Sequence, residues 1–279
     1  MKHLWRVQLL FLVCCFLLAA CGGSATTSDN TTPVPKPAHL EIFAAASLTE
    51  SFNEIRTDYQ RAHANVTISY DFEGSQALVL KLTQGAAADI FASADQTNMK
   101  KAQDAGLVTQ SQVFARNKLV VIVPASNPAN ITSLLDLAKT GNKIVLGAPA
   151  VPVGKYSLQI LDKLGKDSRY GASYEKSVKA NIVSQEDQVK AVVTKVQTGE
   201  ADAGIVYRTD VTAAVAKKVK IIDIPDEFNV VAEYPIAVLK NASNATDAQA
   251  FVRYLLSTDG QAVLKKYGFI GIGDSGGAG

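Results

Sequence analysis

From Leu40 onward, short runs of apolar and β-branched residues alternate with longer segments of helical periodicity, and no other feature of this 279-residue chain constrains its fold as tightly. A chain that returns repeatedly from strand to helix builds α/β layers with mostly parallel strands. The strand-like runs are 40–45, 66–71, 89–92, 117–123, 143–147, 180–183, 203–206, 219–223 and 235–239. Helical patterns cover 49–63, 76–84, 96–105, 131–139, 155–164, 187–198, 208–216 and 246–267, the last broken near Thr258-Asp259-Gly260. Ser47-Leu48-Thr49-Glu50 has capping-box spacing, and Asp104-Ala105-Gly106 closes a helix on a glycine. No fixed-period repeat is present, and the strands could form one large sheet or two smaller ones. Two lobes with a ligand between them are favoured by the polar motifs. These fall at strand-to-helix junctions scattered along the chain, and open α/β sheets collect ligands at the carboxyl ends of their strands.

The N-terminus sets the compartment. Lys2, His3 and Arg6 precede an apolar run from Leu9 to Ala20, about a dozen residues, short for a bilayer span and placed as a signal-peptide core. It ends in Leu18-Ala19-Ala20-Cys21-Gly22. That resembles the lipobox of bacterial lipoproteins, whose cysteine is acylated and becomes the new N-terminus; the alternative is an ordinary cleavage site with a cysteine nearby. On the lipobox reading, 1–20 is a signal peptide and Cys21 carries the lipid. Residues 21–38 are then a tether of small and polar residues, stiffened by Pro33, Pro35 and Pro37. Cys14 and Cys15 leave with the signal, so the mature chain has no internal disulfide; roughly 240 residues bury enough apolar surface without one. Lys2 and Arg6 also leave, taking 28 basic residues to 26 against 26 acidic ones. The mature chain is formally neutral, with no basic tract for nucleic acid or a membrane surface.

The strongest local signal is Phe43-Ala44-Ala45-Ala46-Ser47-Leu48-Thr49, a strand that ends in small residues and opens a helix at Ser47. Small side chains let a ligand approach the backbone, while a hydroxyl and the free N–H groups of the helix start point outward, the ingredients of an anion site. A plain N-cap serine is the competing reading. Asp71-Phe72-Glu73-Gly74-Ser75-Gln76 repeats the theme, with Ser75 as the cap of the next helix. Pro149 to Tyr156 and Gln185 to Val189 open further helices, and Gly204-Ile205-Val206-Tyr207 puts a phenol at a strand end. Together they would make a cage of neutral donors for a fully ionised oxyanion.

Other chemistries find less support. Gly147 to Lys155 fails as a phosphate-binding loop, since the glycine spacing is wrong and Tyr156 replaces the hydroxyl residue that would hold magnesium. Ser173-Tyr174-Glu175-Lys176 has Ser-x-x-Lys spacing but sits in a polar, surface-like stretch without accompanying motifs. His39 and His63 are poorly placed for a hydrolase or a zinc enzyme. Glu186 and Asp187 read as complements to a helix N-terminus rather than as an acid/base pair. No catalytic residue and no direct metal ligand is assigned.

Seven ordered blocks resemble one family. They are FAAASL at 43–48, GAAADIFASAD at 85–95, LVVIVP at 119–124, VPVGKY at 151–156, GEADAGIVY at 199–207, EYPIAV at 233–238 and KYGF at 266–269. The chain is similar to the molybdate-binding proteins of bacterial ABC transporters, the ModA type, over nearly all of 40–270. The resemblance implies a two-lobed periplasmic-binding-protein fold of type II, with 39–116 plus 234–279 as one lobe and 117–233 as the other. It implies a non-enzymatic, monomeric receptor for molybdate or tungstate with no cofactor, exported and held by its lipid anchor on the outer face of a membrane. The receptor would serve an ABC permease and its ATPase. A receptor for sulfate or another small oxyanion, a hydrolase on the same layers and a sensor without transport are the alternatives. By motif, the family's anion ligands fall on Ser47, Ser75, the N–H groups of Val153 and Val189, and Tyr207, with Gln188 the neighbour that could replace Val189. Two positions depart from the pattern: Glu73 places a carboxylate near the ligand and is expected to face solvent, and Lys155 would either touch the anion or sit beside the cleft.

Overall fold

The computed structural model describes residues 36–274. The expected signal peptide, Cys21 and most of the expected tether lie outside the described residues, as do 275–279. Ala38, expected to end the tether, already belongs to the first strand, where it pairs with Val66.

The first sheet has the order β2-β1-β3-β10-β4. Its strands are β1 (Ala38–Ala45), β2 (Val66–Glu73), β3 (Ile90–Ala92), β4 (Gln112–Asn117) and, from late in the chain, β10 (Ala232–Val238). The second has the order β7-β6-β8-β5-β9, built from β5 (Leu119–Pro124), β6 (Ile144–Gly147), β7 (Ile182–Glu186), β8 (Ala203–Tyr207) and β9 (Val219–Asp223). Both sheets follow one plan. Parallel strands occupy one side (β2, β1, β3 and β7, β6, β8), and an antiparallel strand lies beyond them, β10 in the first and β5 in the second. The chain passes between sheets twice, from β4 through Lys118 into β5, and from β9 into β10. The fold is the two-lobed α/β architecture.

Helices cover the sheets: α1 (Thr49–Ala62), α2 (Ser75–Thr83), α3 (Gln96–Asp104), α7 (Ala245–Leu256) and α8 (Thr258–Lys266) with the first, α4 (Pro152–Lys166), α5 (Tyr174–Ala180) and α6 (Val189–Gln197) with the second. All six residues of β5 are buried, so its unbroken apolar run belongs to a strand covered on both faces. In α1 the buried stripe is Phe52, Ile55 and Tyr59, at the three-and-four spacing of an amphipathic helix. Phe52 lies 5.7 Å from the ring of Tyr70 and 5.9 Å from that of Phe114, joining helix to sheet.

Several expectations shift. The strand expected at 117–123 is β5, and β4 precedes it unannounced, because Gln112, Arg116 and Asn117 dilute its apolar pattern. Asn117 ends β4 and Ala232 begins β10, so both belong to the first sheet. The helix expected at 208–216 is instead two 3-10 turns, Arg208–Asp210 and Val215–Lys217; the Asp210 carboxylate folds back to accept the Tyr207 N–H at 3.1 Å and caps the start of the first of them. The helix expected at 131–139 is a 3-10 turn, Leu134–Ala138, held by reciprocal Ser133 and Asp136 capping. Helix α5 was hidden in a polar stretch because only Tyr174 and Val178 carry its buried face. Ser173 and Lys176 are exposed there, as befits a surface segment.

Candidate functional site

Five strand ends face one another across the boundary between the sheets. β1 ends at Ala45, passes through the 3-10 turn Ala46–Leu48 and enters α1; β2 ends at Glu73 and passes through Gly74 into α2. On the other side, β6 leads to α4, β7 to α6, and β8 ends at Tyr207. These ends meet around a small cavity, with about 210 Å³ of space unfilled by protein atoms that is in part open to solvent. Ser47, Ser75, Val153, Val189 and Tyr207 all line it, and Gln188 is not among its lining residues.

The two serines reach it differently from the way the sequence suggests. Ser47 does not cap α1: the 3-10 turn moves it out of the capping position, and its hydroxyl lies 2.9 Å from the Tyr234 hydroxyl instead. Ser75 does not cap α2 either, since Gly74 holds that place and Ser75 is the first helical residue. Its Oγ accepts the Ala94 N–H at 2.9 Å, which fixes the oxygen and leaves its own proton free to donate. Both hydroxyl groups belong to buried residues.

The opposite wall offers backbone. Val153 is in the first turn of α4 behind Pro152, and Val189 is the first residue of α6. N–H groups in a first turn have no intrahelical acceptor, and both helix ends carry the positive end of a backbone dipole. The approach is tight. A Cβ on Gly154 would stand 2.2 Å from the carbonyl oxygens of Gly147 and Ala148, so only glycine lets α4 start against that loop. A Cβ on Gly74 would lie 2.4 Å from the Asp187 carbonyl, where the two halves touch.

Tyr207 lines the same cavity. It is 1% exposed, and its hydroxyl has no hydrogen-bond partner. Burial pushes its pKa well above the usual phenol value, so it remains a neutral O–H. A buried hydroxyl without a partner costs about 1–3 kcal/mol unless something fills its bonding direction. Its ring packs edge-on against Tyr234 with centroids 5.7 Å apart.

Glu73 is the one carboxylate among the lining residues. It does not simply face solvent: its carboxylate is half-buried and bound by Lys81 at 2.7 Å, and Lys81 also holds Asp71 at 2.8 Å. Those two carboxylates raise the Lys81 pKa. Lys155 is not in the lining; it reaches across to Thr97 Oγ1 and lies 3.7 Å from Asp95. Glu186, expected to complement a helix start, instead pairs with Lys195 at 2.6 Å, and the Asp187 carbonyl accepts from Gln76 Nε2 at 2.8 Å. His39 binds Thr67 and Ser69 on the sheet surface, and His63 stacks on Tyr59. Neither histidine lines the cavity.

Sequence reasoning missed Tyr234 and Ala94 as supports. Both lie inside blocks that carried the family resemblance, EYPIAV and GAAADIFASAD, but nothing local says that a phenol in β10 steadies Ser47 or that the amide after β3 steadies Ser75.

The sequence matches the family model of the bacterial extracellular solute-binding proteins over residues 40–270. A molybdate-binding protein ModA from Mycobacterium tuberculosis is 37% identical over 253 residues, which cover 90% of this chain and 92% of that protein. The Escherichia coli molybdate-binding protein ModA is 32% identical over 242 residues, covering 82% of this chain and 88% of its own. Among solved structures, the periplasmic molybdate-binding protein of Azotobacter vinelandii shares the fold with a TM-score of 0.70 at 18% identity, over 83% of this chain and 99% of that one. With a family model spanning most of its length and relatives matched nearly end to end, the chain belongs to the bacterial extracellular solute-binding proteins and is of the ModA type.

Proposed function

We propose that this protein captures molybdate, and tungstate with it, in the cavity between the lobes and delivers it to an ABC transporter. The observation that carries the reading is the convergence of neutral donors, two serine hydroxyls, two helix starts and the unpartnered Tyr207 hydroxyl, on one small cavity. A buried dianion is tolerable only when each of its oxygens is hydrogen-bonded. Donors alone suit an ion that carries no proton. Hydrogen phosphate would bring a proton for which the one carboxylate in the lining, Glu73, is already engaged by Lys81, while sulfate is smaller than molybdate and would leave the contacts long. The two crossovers, β4 to β5 and β9 to β10, are where a hinge would act as the lobes close.

Capture is reversible and involves no bond making. Ser47 has the Tyr234 phenol beside it, itself held neutral by burial, and Ser75 has an amide N–H. Neither neighbour can take a proton from a nucleophile, which speaks against hydrolysis on these layers. The lipobox-like segment supports an exported protein anchored through Cys21, and the solute-binding family supports partnership with a permease and its ATPase, where we expect the protein to act as a monomer.

Isothermal titration of the full chain with molybdate, tungstate, sulfate and phosphate at neutral pH tests the reading. Tight one-to-one binding of the two larger anions, weakened by Ser47→Ala and Tyr207→Phe, is expected. A folded sample silent to molybdate and tungstate would overturn it, and a preference for sulfate would reassign the ligand.

A further inference from the structure

Lys190 follows Val189 in the first turn of α6, but its side chain serves a different purpose from the backbone beside it. Its ammonium lies 2.7 Å from Glu50, in the first turn of α1 on the opposite lobe, and 3.3 Å from Asp210, in the turn that follows Tyr207 on its own lobe. The Asp210 contact is close enough for ion pairing yet not aligned as a hydrogen bond. Asp210 is wholly buried, and its other oxygen accepts the Tyr207 N–H. Burial would lower the lysine's pKa, but Asp210 and Glu50 outweigh it and raise it, so the group is charged. One cation thus ties together three pieces of the cavity wall: the helix that follows Ser47, the helix that opens at Val189 and the turn below Tyr207.

We propose that Lys190 and Glu50 form a latch across the cleft that is made when the lobes close and slows release of the bound anion. The Lys190–Asp210 contact lies within one lobe and survives opening; the Lys190–Glu50 contact spans the lobes and cannot. Capturing the anion brings α1 and α6 together, and the ion pair adds a barrier to their separation that involves no atom of the ligand. This inference rests on the reading of the cavity as an oxyanion site.

Glu50 gives the idea a test with a sign. Glu50 is negative and near an anion site, so if it acted only through its field, neutralising it would tighten binding and slow release. A latch predicts the reverse. Glu50→Gln is the cleaner variant, because Lys190 keeps Asp210 and no buried charge is stranded; Lys190→Gln leaves Asp210 unpaired and is the variant at risk of misfolding. The full chain is loaded with radiolabelled molybdate, and release into excess unlabelled molybdate is followed together with the association rate and the thermal midpoint. Glu50→Gln is expected to release about tenfold faster with an association rate within about twofold of the parent, since breaking a contact across an interface acts on departure more than on arrival. Adding Lys190→Gln should speed release no further than Lys190→Gln alone, as partners of one contact are not additive. Release that is unchanged or slower in Glu50→Gln, while the parent binds molybdate, overturns the latch and leaves the site reading standing. A parent chain that binds neither molybdate nor tungstate overturns both.

Discussion

The two lobes share one strand plan and contribute opposite kinds of chemistry to the cavity. The first supplies side chains: Ser47 and Ser75 sit on small-residue turns, each oxygen steadied by a neighbour, the Tyr234 hydroxyl or the Ala94 amide. The second supplies chiefly backbone, at the starts of α4 and α6, and adds one phenol that is left without a partner. Equal topology therefore does not mean equal vulnerability. A hydroxyl is deleted by one substitution, whereas an N–H can be displaced only by moving the helix that carries it.

The largest effect should come from forcing that second case. Gly154→Val places a branched side chain where even a Cβ meets two carbonyl oxygens at 2.2 Å, so the start of α4 has to move away from the β6 loop. Molybdate affinity should fall at least about a hundredfold, with a stability loss of about 1–3 kcal/mol from overpacking, read by calorimetry and denaturant unfolding. Near-parental binding would show that the α4 start is not a wall of the anion site.

Next in size are the serines, and they divide the lobes cleanly. Ser47→Ala and Ser75→Ala each remove a hydrogen bond to a charged ligand, about 1.5–3 kcal/mol, or roughly 10- to 150-fold in affinity. Val153→Ala and Val189→Ala keep their N–H groups and should stay within about threefold, despite small losses of packing. If the valine variants weakened binding as much as the serine variants, the contrast between side-chain and backbone donors would collapse.

Tyr207→Phe should split affinity from stability. The free protein holds a buried hydroxyl with no partner, so removing it should leave stability unchanged or raise it by up to about 1 kcal/mol, while affinity falls about tenfold or more. Burial raises the Tyr207 pKa well above 10.0, which fixes the sign with pH. The neutral phenol persists through the range in which an unfolded tyrosine ionises, so binding should be flat from about pH 6 to 9. Stability from the buried phenols Tyr207 and Tyr234 is fully present below that range and is lost as pH climbs past about 10, where only the unfolded chain gives up the proton. Urea midpoints across pH 7–11 check the direction.

The contrast between lobes also explains what could be read from residues alone. Junctions were legible because each announces itself within a few positions: small residues, a hydroxyl, a glycine, then a helical pattern. The strand plan was legible only as alternation; the repeated order of the sheets depends on the connections from β4 to β5 and from β9 to β10, which carry the chain from one sheet to the other, and no sequence period records it. The supports were the least legible. Ser47 is steadied by a residue 187 positions away, and Glu50 meets Lys190 across 140 positions, so neither contact leaves a local pattern. Ser47 and Ser75 were placed at the cavity for a reason that proved partly wrong, as helix caps, because a 3-10 turn and Gly74 occupy the positions that capping would need.

The smallest predicted effect tests the comparison most closely, because both lobes carry the same device. Glu73 ends β2 and pairs with Lys81 in the helix that follows; Glu186 ends β7, the matching strand of the second sheet, and pairs with Lys195 in the helix that follows. Only Glu73 lines the cavity; there the helix opens two residues after the strand end, at Ser75, whereas α6 opens three residues after Glu186, at Val189. Lys81 and Lys195 therefore hold equivalent carboxylates at different removes from the anion. Glu73→Gln should tighten molybdate binding by about two- to fivefold, since it removes a like charge already largely compensated by Lys81. Lys81→Met should weaken it by a similar factor, by leaving Asp71 and Glu73 without their cation. Glu186→Gln should leave affinity alone and cost at most about 1 kcal/mol of stability, as a partly exposed pair does. Equal shifts for Glu73→Gln and Glu186→Gln would mean that the anion senses the net charge of the protein and not the placement of these pairs.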